Sequence, residues 1–286
     1  MENKTDDSQP APETCASCGA KLKGDYCRKC GEKKIVPERD FSVTKFLTQT
    51  LGHIVHFDSK LLRTCWLLFS KPGFLTAEWI AGRRVRHMKP WQLFVVAGLL
   101  FYFFLPTVPA HFSNSKDFIR GFETRNLVMN TFQYDFGTVL TEKATALQIE
   151  PGVLERDIDK AAAQKSKTWL FLIIPFWGAY IYLLLRRKIP WLVPHLVFAM
   201  HGLTFYILSD LLIHTFTHVF GIALHGQYIL LTLIIVFFPY LMLAVRRVYD
   251  TSWSKTIVSA IGVEVGFIVF LMLYRQTMTV WTISSL

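Results

Sequence analysis

The sequence WLVPHLVFAMHGLTFYILSDLL, residues 191–212, decides the fold class of this chain. Apolar side chains fill most of it, and its only carboxylate, Asp210, lies near the end. A helix needs about 20 such residues to cross the hydrocarbon core of a bilayer. The stretch therefore predicts a membrane-spanning helix.

Four other apolar stretches of comparable length predict further spans. They are Trp91 to about Val108, Trp169–Leu185, Tyr228–Val245 and about Lys255–Tyr274. Of the 286 residues, 52% are hydrophobic, and the long apolar runs follow residue 90. We therefore predict an all-α polytopic membrane protein with about five transmembrane helices in a bundle over residues 90–286. Residues 109–167 are expected to be its extracytoplasmic loop.

The charges beside these stretches predict the orientation of the bundle. Three basic groups are Arg83, Arg84, Arg86 and Lys89, then Arg186, Arg187 and Lys188, and finally Arg246, Arg247 and Lys255. With five spans all three groups fall on one side, which the positive-inside rule assigns to the cytoplasm. We therefore expect a cytoplasmic N-terminus and an extracytoplasmic C-terminus. The net charge of +10 is explained by contact with the anionic lipid bilayer, which disfavours nucleic acid as a partner.

Two short cysteine motifs near the N-terminus predict a metal site. Cys15-Ala-Ser-Cys18-Gly and Cys27-Arg-Lys-Cys30-Gly share the pattern C-x-x-C-G. Cysteines at this spacing can place both thiolates on one metal ion, and the glycine permits a turn with positive φ. Two such knuckles complete a tetrahedral set of four sulfur ligands. Residues 15–31 therefore predict a zinc ribbon that holds one Zn²⁺ ion.

The closed ligand set predicts a structural role for this metal. Four thiolates leave no open coordination position, so a catalytic role is not expected. Iron in the same geometry and two redox-active cysteine pairs are the alternatives, but no βαβ pattern surrounds the motifs. The polar residues 1–14 are expected to form a disordered tail in the cytoplasm.

Residues 41–89 predict amphipathic juxtamembrane helices between the ribbon and the first span. From Val43 to Val55, apolar residues recur with the spacing of one helix face. A second helix is expected from about Asp58 to Phe69, and a third from Pro72, a favourable first helical position, to near Gly82. These helices either lie in the membrane interface or pack beneath the spans, and we prefer the packed arrangement.

Five segments carry a resemblance to a known family. They are Cys27-Arg-Lys-Cys30-Gly, Lys71-Pro-Gly-Phe, Glu78-Trp-Ile-Ala-Gly-Arg-Arg-Val-Arg before Lys89-Pro90, His195-Leu-Val-Phe-Ala-Met-His201 and Arg246-Arg247-Val-Tyr249. The chain from Cys15 to about Tyr274 resembles a bacterial family of zinc-ribbon, multi-span membrane proteins classed as a domain of unknown function (number 3667). The resemblance implies a place in the bacterial inner membrane. It implies no activity, so no catalytic residue is transferred.

Two polar residues inside the predicted spans are candidates for a functional site. A charged side chain at the centre of a spanning helix costs roughly 2.5–3.5 kcal/mol, so its presence suggests a function. His201 and Glu264 both lie roughly 14–15 Å from the cytoplasmic starts of their spans, at 1.5 Å per residue. We predict that they lie at one level and can pair. Alternatively, Glu264 is protonated and bonded to backbone, while Gly262 and Gly266 permit close helix packing.

Three residues near the outer end of the third span form a weaker candidate site. Asp210, His214 and His218 follow one another at intervals of four, so they share a helix face. Such a face can hold a metal ion or relay a proton. Solvation by water at the membrane surface explains the same residues without a function.

Three hypotheses for the function follow from these features. The first is a non-enzymatic scaffold or regulatory membrane protein whose ribbon recruits a cytoplasmic protein partner. The second is a transporter or permease for a small or lipidic solute that uses Glu264 and His201, in which case five spans indicate a homo-oligomer. The third is an intramembrane or lipid-modifying enzyme that uses the histidines. The sequence contains no P-loop, Rossmann fingerprint or G-x-S-x-G motif, so the enzyme hypothesis ranks last.

Overall fold

The computed structural model describes residues 14–22, 24–44, 46, 60–104, 136–154, 157, 170–221 and 232–284. Almost all of the predicted tail, most of the first juxtamembrane helix and most of the loop over 109–167 lie outside these residues. Within them the chain is helical, and the β-structure consists of two isolated bridges, Thr14–Lys21 and Tyr26–Lys33.

The helices have the following bounds in chain order. They are α1 Pro37–Asp40, α2 Lys60–Ser70, α3 Phe74–Ile80, α4 Pro90–Phe104, α5 Phe136–Ala146, a 3₁₀ turn Leu170–Leu172, α6 Ile173–Leu185, α7 Leu192–Val219, a π-helical segment Leu233–Phe237, α8 Phe238–Tyr249 and α9 Trp253–Ser284.

Each predicted span corresponds to an apolar helix or helical segment. Two of these, Leu192–Thr217 within α7 and Trp253–Tyr274 within α9, are long and apolar enough to cross a membrane. Helices α4 and α6 are apolar but shorter in the described residues. The structure therefore establishes a helical chain with two candidate membrane spans.

Helix α7 lies at the centre of the bundle, where it packs on α4 and α6, while α9 packs on α6 and α8. Trp177 of α6 is fully buried, and its Nε1–H donates to the Val263 carbonyl of α9 at 3.0 Å. A Cβ atom at Gly202 of α7 would lie 2.8 Å from the Trp177 ring, so glycine is needed at this crossing. An indole buried in this way links three helices through one side chain.

The glycine pair beside Glu264 accommodates an aromatic ring. The Tyr180 hydroxyl of α6 donates to the Gly262 carbonyl of α9 at 3.1 Å. A Cβ atom at Gly266 would overlap the ring of the same tyrosine. The two glycines therefore permit close packing of α6 on α9, as the alternative interpretation of the motif expected.

The juxtamembrane helices α2 and α3 pack against the bundle. Leu68 of α2 and Leu75 of α3 are buried in the main apolar core, and α3 contacts both α7 and α8. The third predicted helix was expected to begin at Pro72, but α3 begins at Phe74. The difference arises because Gly73 has φ of +74°, a left-handed conformation outside the helical range.

Candidate metal centre and adjoining cavity

The four predicted zinc ligands lie together in the structure. The Sγ atoms of Cys15 and Cys30 are 3.6 Å apart, and those of Cys18 and Cys27 are 3.5 Å apart. All four sulfur atoms lie within 4.8 Å of one another, and none forms a disulfide. Four thiolates at 2.3 Å from a tetrahedral zinc would be about 3.8 Å apart, so the arrangement fits such an ion.

The backbone of each knuckle explains why the sulfur atoms converge. Gly19 N donates to the Cys15 carbonyl at 2.9 Å, and Gly31 N donates to the Cys27 carbonyl at 2.8 Å. The two glycines have φ of +71° and +74°, which an L side chain rarely adopts. Both knuckles therefore turn tightly enough to bring their sulfur atoms together.

Glu32 fastens the ribbon to the segment that precedes the first bundle helix. Its buried Oε2 atom accepts hydrogen bonds from the Ser17 hydroxyl at 2.7 Å, from Arg84 N at 2.9 Å and from Val85 N at 3.0 Å. The Arg86 guanidinium also donates to the Ser17 carbonyl. One carboxylate thus joins a knuckle to the basic segment beside the bundle, and this arrangement makes the ribbon a docked element.

The Arg84 side chain continues this junction. Its guanidinium carbon lies 3.7 Å from the centroid of the Trp79 ring, and its Nε–H donates to the Trp79 carbonyl at 3.1 Å. Burial lowers the pKa of Arg84 to about 10, while the nearby Asp40 and Glu32 carboxylates oppose this shift. The group is therefore charged at neutral pH, and it lies over an aromatic face that favours a cation.

A cavity of about 510 Å³ lies between the docked ribbon and the bundle. The ribbon, α3, the segment after α3, the first residues of α4 and the middle of α7 contribute its walls. Its lining includes Glu32, Lys33, Asp40, Trp79, Arg83, Arg84, His87, Lys89, Trp91 and His201. A volume of this size is within the range of sites for small ligands.

His201 lies at this cavity and has a partner other than the predicted one. It is buried, and its Nδ1 atom is 2.8 Å from the Thr76 hydroxyl of α3. Glu264 is also buried, and its Oε1 atom has no hydrogen-bond partner in the described part of the chain. No hydrogen bond joins His201 and Glu264. Thr76 of α3 lies beside His201 instead, and depth along the span did not predict this neighbour. The cavity lining does not include Glu264.

An ion pair between Glu78 and Arg83 lies beside the cavity. The Glu78 carboxylate accepts hydrogen bonds from the Arg83 guanidinium, and its other oxygen is 3.8 Å from His87 Nε2. The Arg83 hydrogen bond holds the pKa of Glu78 below its ordinary value, and burial lowers the pKa of His87. Glu78 is therefore charged and His87 neutral at pH 7.

The weaker candidate site is a local helix contact in the described residues. His214 Nδ1 lies 2.8 Å from the Asp210 carbonyl oxygen and 3.4 Å from the Asp210 carboxylate. The His218 side chain lies outside the described part. In that part, the four cysteines are the only group of three or more residues arranged to hold a metal ion.

Sequence reasoning found the ligands but missed the residues that position them. Glu32, Arg84 and His87 each contribute to the junction or to the cavity, and none was a candidate. The sequence offered one signal for these residues, the positive charge of the segment after α3. We used that charge only to predict the orientation of the spans in the membrane. A contact between Glu32 and Arg84 spans 52 positions, so no local pattern reveals it.

Comparisons with known proteins give the chain a partial assignment. No curated protein and no solved structure matches it. Residues 58–102 include α2, α3, the basic segment after α3 and most of α4, so they contribute much of the cavity wall. Residues 58–102 match the model of the family described as a protein of unknown function (DUF3667), which confirms the resemblance over this segment of the chain.

Proposed function

We propose that this chain is an integral protein of the bacterial inner membrane whose cytoplasmic zinc ribbon recruits a protein partner. In this proposal it is a non-enzymatic scaffold or regulatory protein. The observation that carries the proposal is the attachment of the ribbon through Glu32, which leaves Tyr26, Arg28 and Lys29 of the second knuckle exposed. A docked module presents its outer surface in one orientation, which favours recognition of a partner.

The membrane location is supported by apolar side chains on the outside of the bundle. On α9, Val258 is 71% exposed and Met272 is 56% exposed, and Leu183 of α6 is 64% exposed. Such surface is costly in water and favourable in lipid. In the proposed arrangement, five helices span the membrane, one for each predicted apolar stretch, and these exposed side chains contact lipid.

The proposed orientation is supported by hydrogen bonds from two basic side chains to backbone carbonyls of neighbouring segments. The Arg247 guanidinium donates to the Pro72 carbonyl, and Lys188 Nζ donates to the Asp250 carbonyl at 3.3 Å. These bonds bring the loop after α6 and the end of α8 to the same end of the bundle as the juxtamembrane helices. One basic end is what the positive-inside rule expects of the cytoplasmic side.

The metal in this proposal is one structural Zn²⁺ ion. Four cysteines with sulfur atoms a few ångströms apart favour a soft, tetrahedral cation over the oxygen-seeking Mg²⁺ and Ca²⁺. Both knuckles are too small to bury a core, so bound metal would supply most of their folding free energy.

The recruiting surface lies on the second knuckle. Tyr26 is 61% exposed, and Arg28 and Lys29 are exposed beside it. An aromatic ring next to two cations is complementary to an acidic protein surface.

The test compares partners that copurify with the full-length protein in mild detergent. Cys15→Ser/Cys18→Ser removes two metal ligands, whereas Arg28→Glu/Lys29→Glu reverses the surface charge and keeps all four. Arg186→Glu/Arg187→Glu is the charge-matched control, because both arginines are exposed on the loop after α6. We expect the two ribbon variants to lose a partner that the control keeps. Retention of every partner by both ribbon variants contradicts recruitment.

A transporter is the second candidate function. It is favoured by His201 at the wall of the cavity and by the unpartnered oxygen of Glu264 in the bundle. The two residues would need to lie on one solute path, in an assembly of more than one chain. We rank this candidate second because the cavity wall includes His201 without Glu264.

A further inference from the structure

Two buried polar atoms at the cavity have no hydrogen-bond partner among the described residues. They are Arg84 Nη2 and His87 Nδ1. The His87 side chain is only 9% exposed, and both residues line the cavity. An unsatisfied buried donor costs about 1–3 kcal/mol, and more when it is charged. The cavity wall therefore offers two hydrogen-bonding groups that a bound molecule can satisfy.

The charges of the cavity indicate the sign of that molecule. Four cationic side chains line it, Lys33, Arg83, Arg84 and Lys89, against the two carboxylates of Glu32 and Asp40. Glu32 accepts three hydrogen bonds from the protein, and Asp40 binds Lys33 at 3.1 Å. Asp40 binds Lys33 and Glu78 binds Arg83, so Arg84 and Lys89 are the lining cations that lie outside these two ion pairs. These two cations favour an anion.

The first turn of α4 adds to this preference. Lys89, Pro90, Trp91 and Gln92 all line the cavity, so the N-terminal end of a 15-residue helix borders it. Free backbone N–H groups and the helix dipole at such an end stabilise negative charge, and phosphate above all. This position is independent of the two unpartnered side-chain atoms.

Apolar and aromatic residues complete the wall. Leu75, Met88, Trp79 and Trp91 line the same cavity. Their presence beside the cationic groups suits a molecule that joins an anionic group to an apolar part.

We propose that the cavity binds the phosphate group of an anionic phospholipid, with Arg84, Lys89 and the start of α4 as its donors. The lipid as the source of the phosphate rests on the proposed membrane location, whereas recognition of phosphate by these groups does not. The ribbon forms part of the cavity wall, so an occupied cavity would also stabilise the docked ribbon.

The experiment measures binding to the full-length protein purified in mild detergent. The probes are short-chain phosphatidylglycerol, phosphatidylcholine with the same chains, and inorganic phosphate. The test variants are Arg84→Gln/Lys89→Gln and, because Arg84 also stacks on Trp79, the single change Lys89→Gln at an exposed side chain. Arg186→Gln/Arg187→Gln is the matched control, because it removes two exposed cations that do not line the cavity.

We expect phosphatidylglycerol to bind at least about tenfold more tightly than phosphatidylcholine. Both lipids carry the phosphate, but the cationic side chains of the cavity repel the choline cation of phosphatidylcholine. The double cavity variant loses the preference, Lys89→Gln weakens it, and the control keeps it. Inorganic phosphate should compete in the wild type and in the control, and not in the double cavity variant.

Two results overturn the proposal. One is an equal affinity for both lipids, with no binding of inorganic phosphate. The other is an equal loss in the control and the cavity variants, which would indicate attraction to surface charge alone. Binding of inorganic phosphate that the cavity variants abolish, without a preference between the lipids, supports the phosphate site and rejects an anionic lipid as its ligand. Partner recruitment by the ribbon is measured separately, so its failure leaves these results unchanged.

Discussion

The backbone N–H of Arg84 donates a 2.9 Å hydrogen bond to the Glu32 carboxylate, which joins the cysteine ribbon to the segment before α4. The same oxygen atom accepts from Val85 N and from the Ser17 hydroxyl. Glu32 follows the last cysteine ligand by two residues, and Arg84 lines the cavity. The four-cysteine ribbon and the cavity wall are therefore joined through a few bonds.

We predict that Glu32→Gln releases the ribbon from the bundle. The substitution removes the charge that strengthens three hydrogen bonds, which would destabilise the docked state by about 2–3 kcal/mol. Limited trypsin digestion measures the release, as faster cleavage after Lys33 or Lys34. The exposed Glu38 supplies the control, because Glu38→Gln should leave the cleavage rate unchanged. Equal cleavage rates for the two variants would count against docking through Glu32.

Removal of the metal is expected to unfold the ribbon and leave the bundle intact. Four thiolates with little apolar core around them depend on the cation for their arrangement. Elemental analysis should find about one zinc per chain in the wild type and little in Cys18→Ser. The variant should retain its helical circular dichroism. Cys65→Ser is the matched control, since Cys65 lies apart from the cluster on α2 and should leave the zinc content unchanged.

Gly73→Ala should destabilise the contact between the juxtamembrane helices and α8. Gly73 has φ of +74°, and a Cβ atom there would lie 2.7 Å from the Ala244 Cα atom. Strain in the left-handed region and the backbone overlap together cost about 1–3 kcal/mol or more. Thermal unfolding in detergent should show a lower midpoint. Gly98→Ala in α4 has open space at its Cβ position and should be neutral or stabilising by up to about 1 kcal/mol.

Acidification is predicted to destabilise the segment after α3 in two steps. Burial lowers the pKa of His87 below its ordinary 6.5, so the unfolded chain binds the proton first and stability falls as the pH drops below about 6.5. The Arg83 hydrogen bond lowers the pKa of Glu78 below 4.5. Its stabilising contribution is complete above about pH 4.5 and is lost as the pH falls through the folded pKa.

Unfolding midpoints measured between about pH 8 and about pH 4 test these two steps. His87→Gln should reduce the slope around pH 6.5, and Glu78→Gln should reduce the slope at the acidic end. A wild-type profile that His87→Gln leaves unchanged near pH 6.5 would rule out the first step.

Local sequence patterns accounted for the helices and the metal ligands. The spacing of Cys15, Cys18, Cys27 and Cys30 predicted a cluster because ligands three residues apart converge through one turn, and the structure contains it. Apolar length likewise predicted helices such as α7 and α9, since a helix position follows from its own residues.

The contacts that build the cavity depend on how helices pack, which local patterns do not determine. The hydrogen-bond partner of His201 in the apolar helix α7 is Thr76, 125 positions away. Depth along an axis leaves the rotation of a helix and the identity of its neighbours undetermined. Glu32 was overlooked for the same reason, because an isolated acidic residue after a knuckle resembles an ordinary surface charge.

Glu264→Gln separates the two candidate functions. The buried carboxylate has an oxygen without a partner in the described residues, so the amide should fold and insert at least as well as the acid. A scaffold needs no ionisable group there, and we expect the variant to rescue a deletion strain as the wild type does. Loss of rescue with normal membrane levels would favour a transporter. Cys15→Ser/Cys18→Ser is the complementary variant, because it removes two metal ligands of the ribbon and leaves Glu264 intact. A scaffold should then lose rescue of the deletion strain, whereas a transporter should keep it.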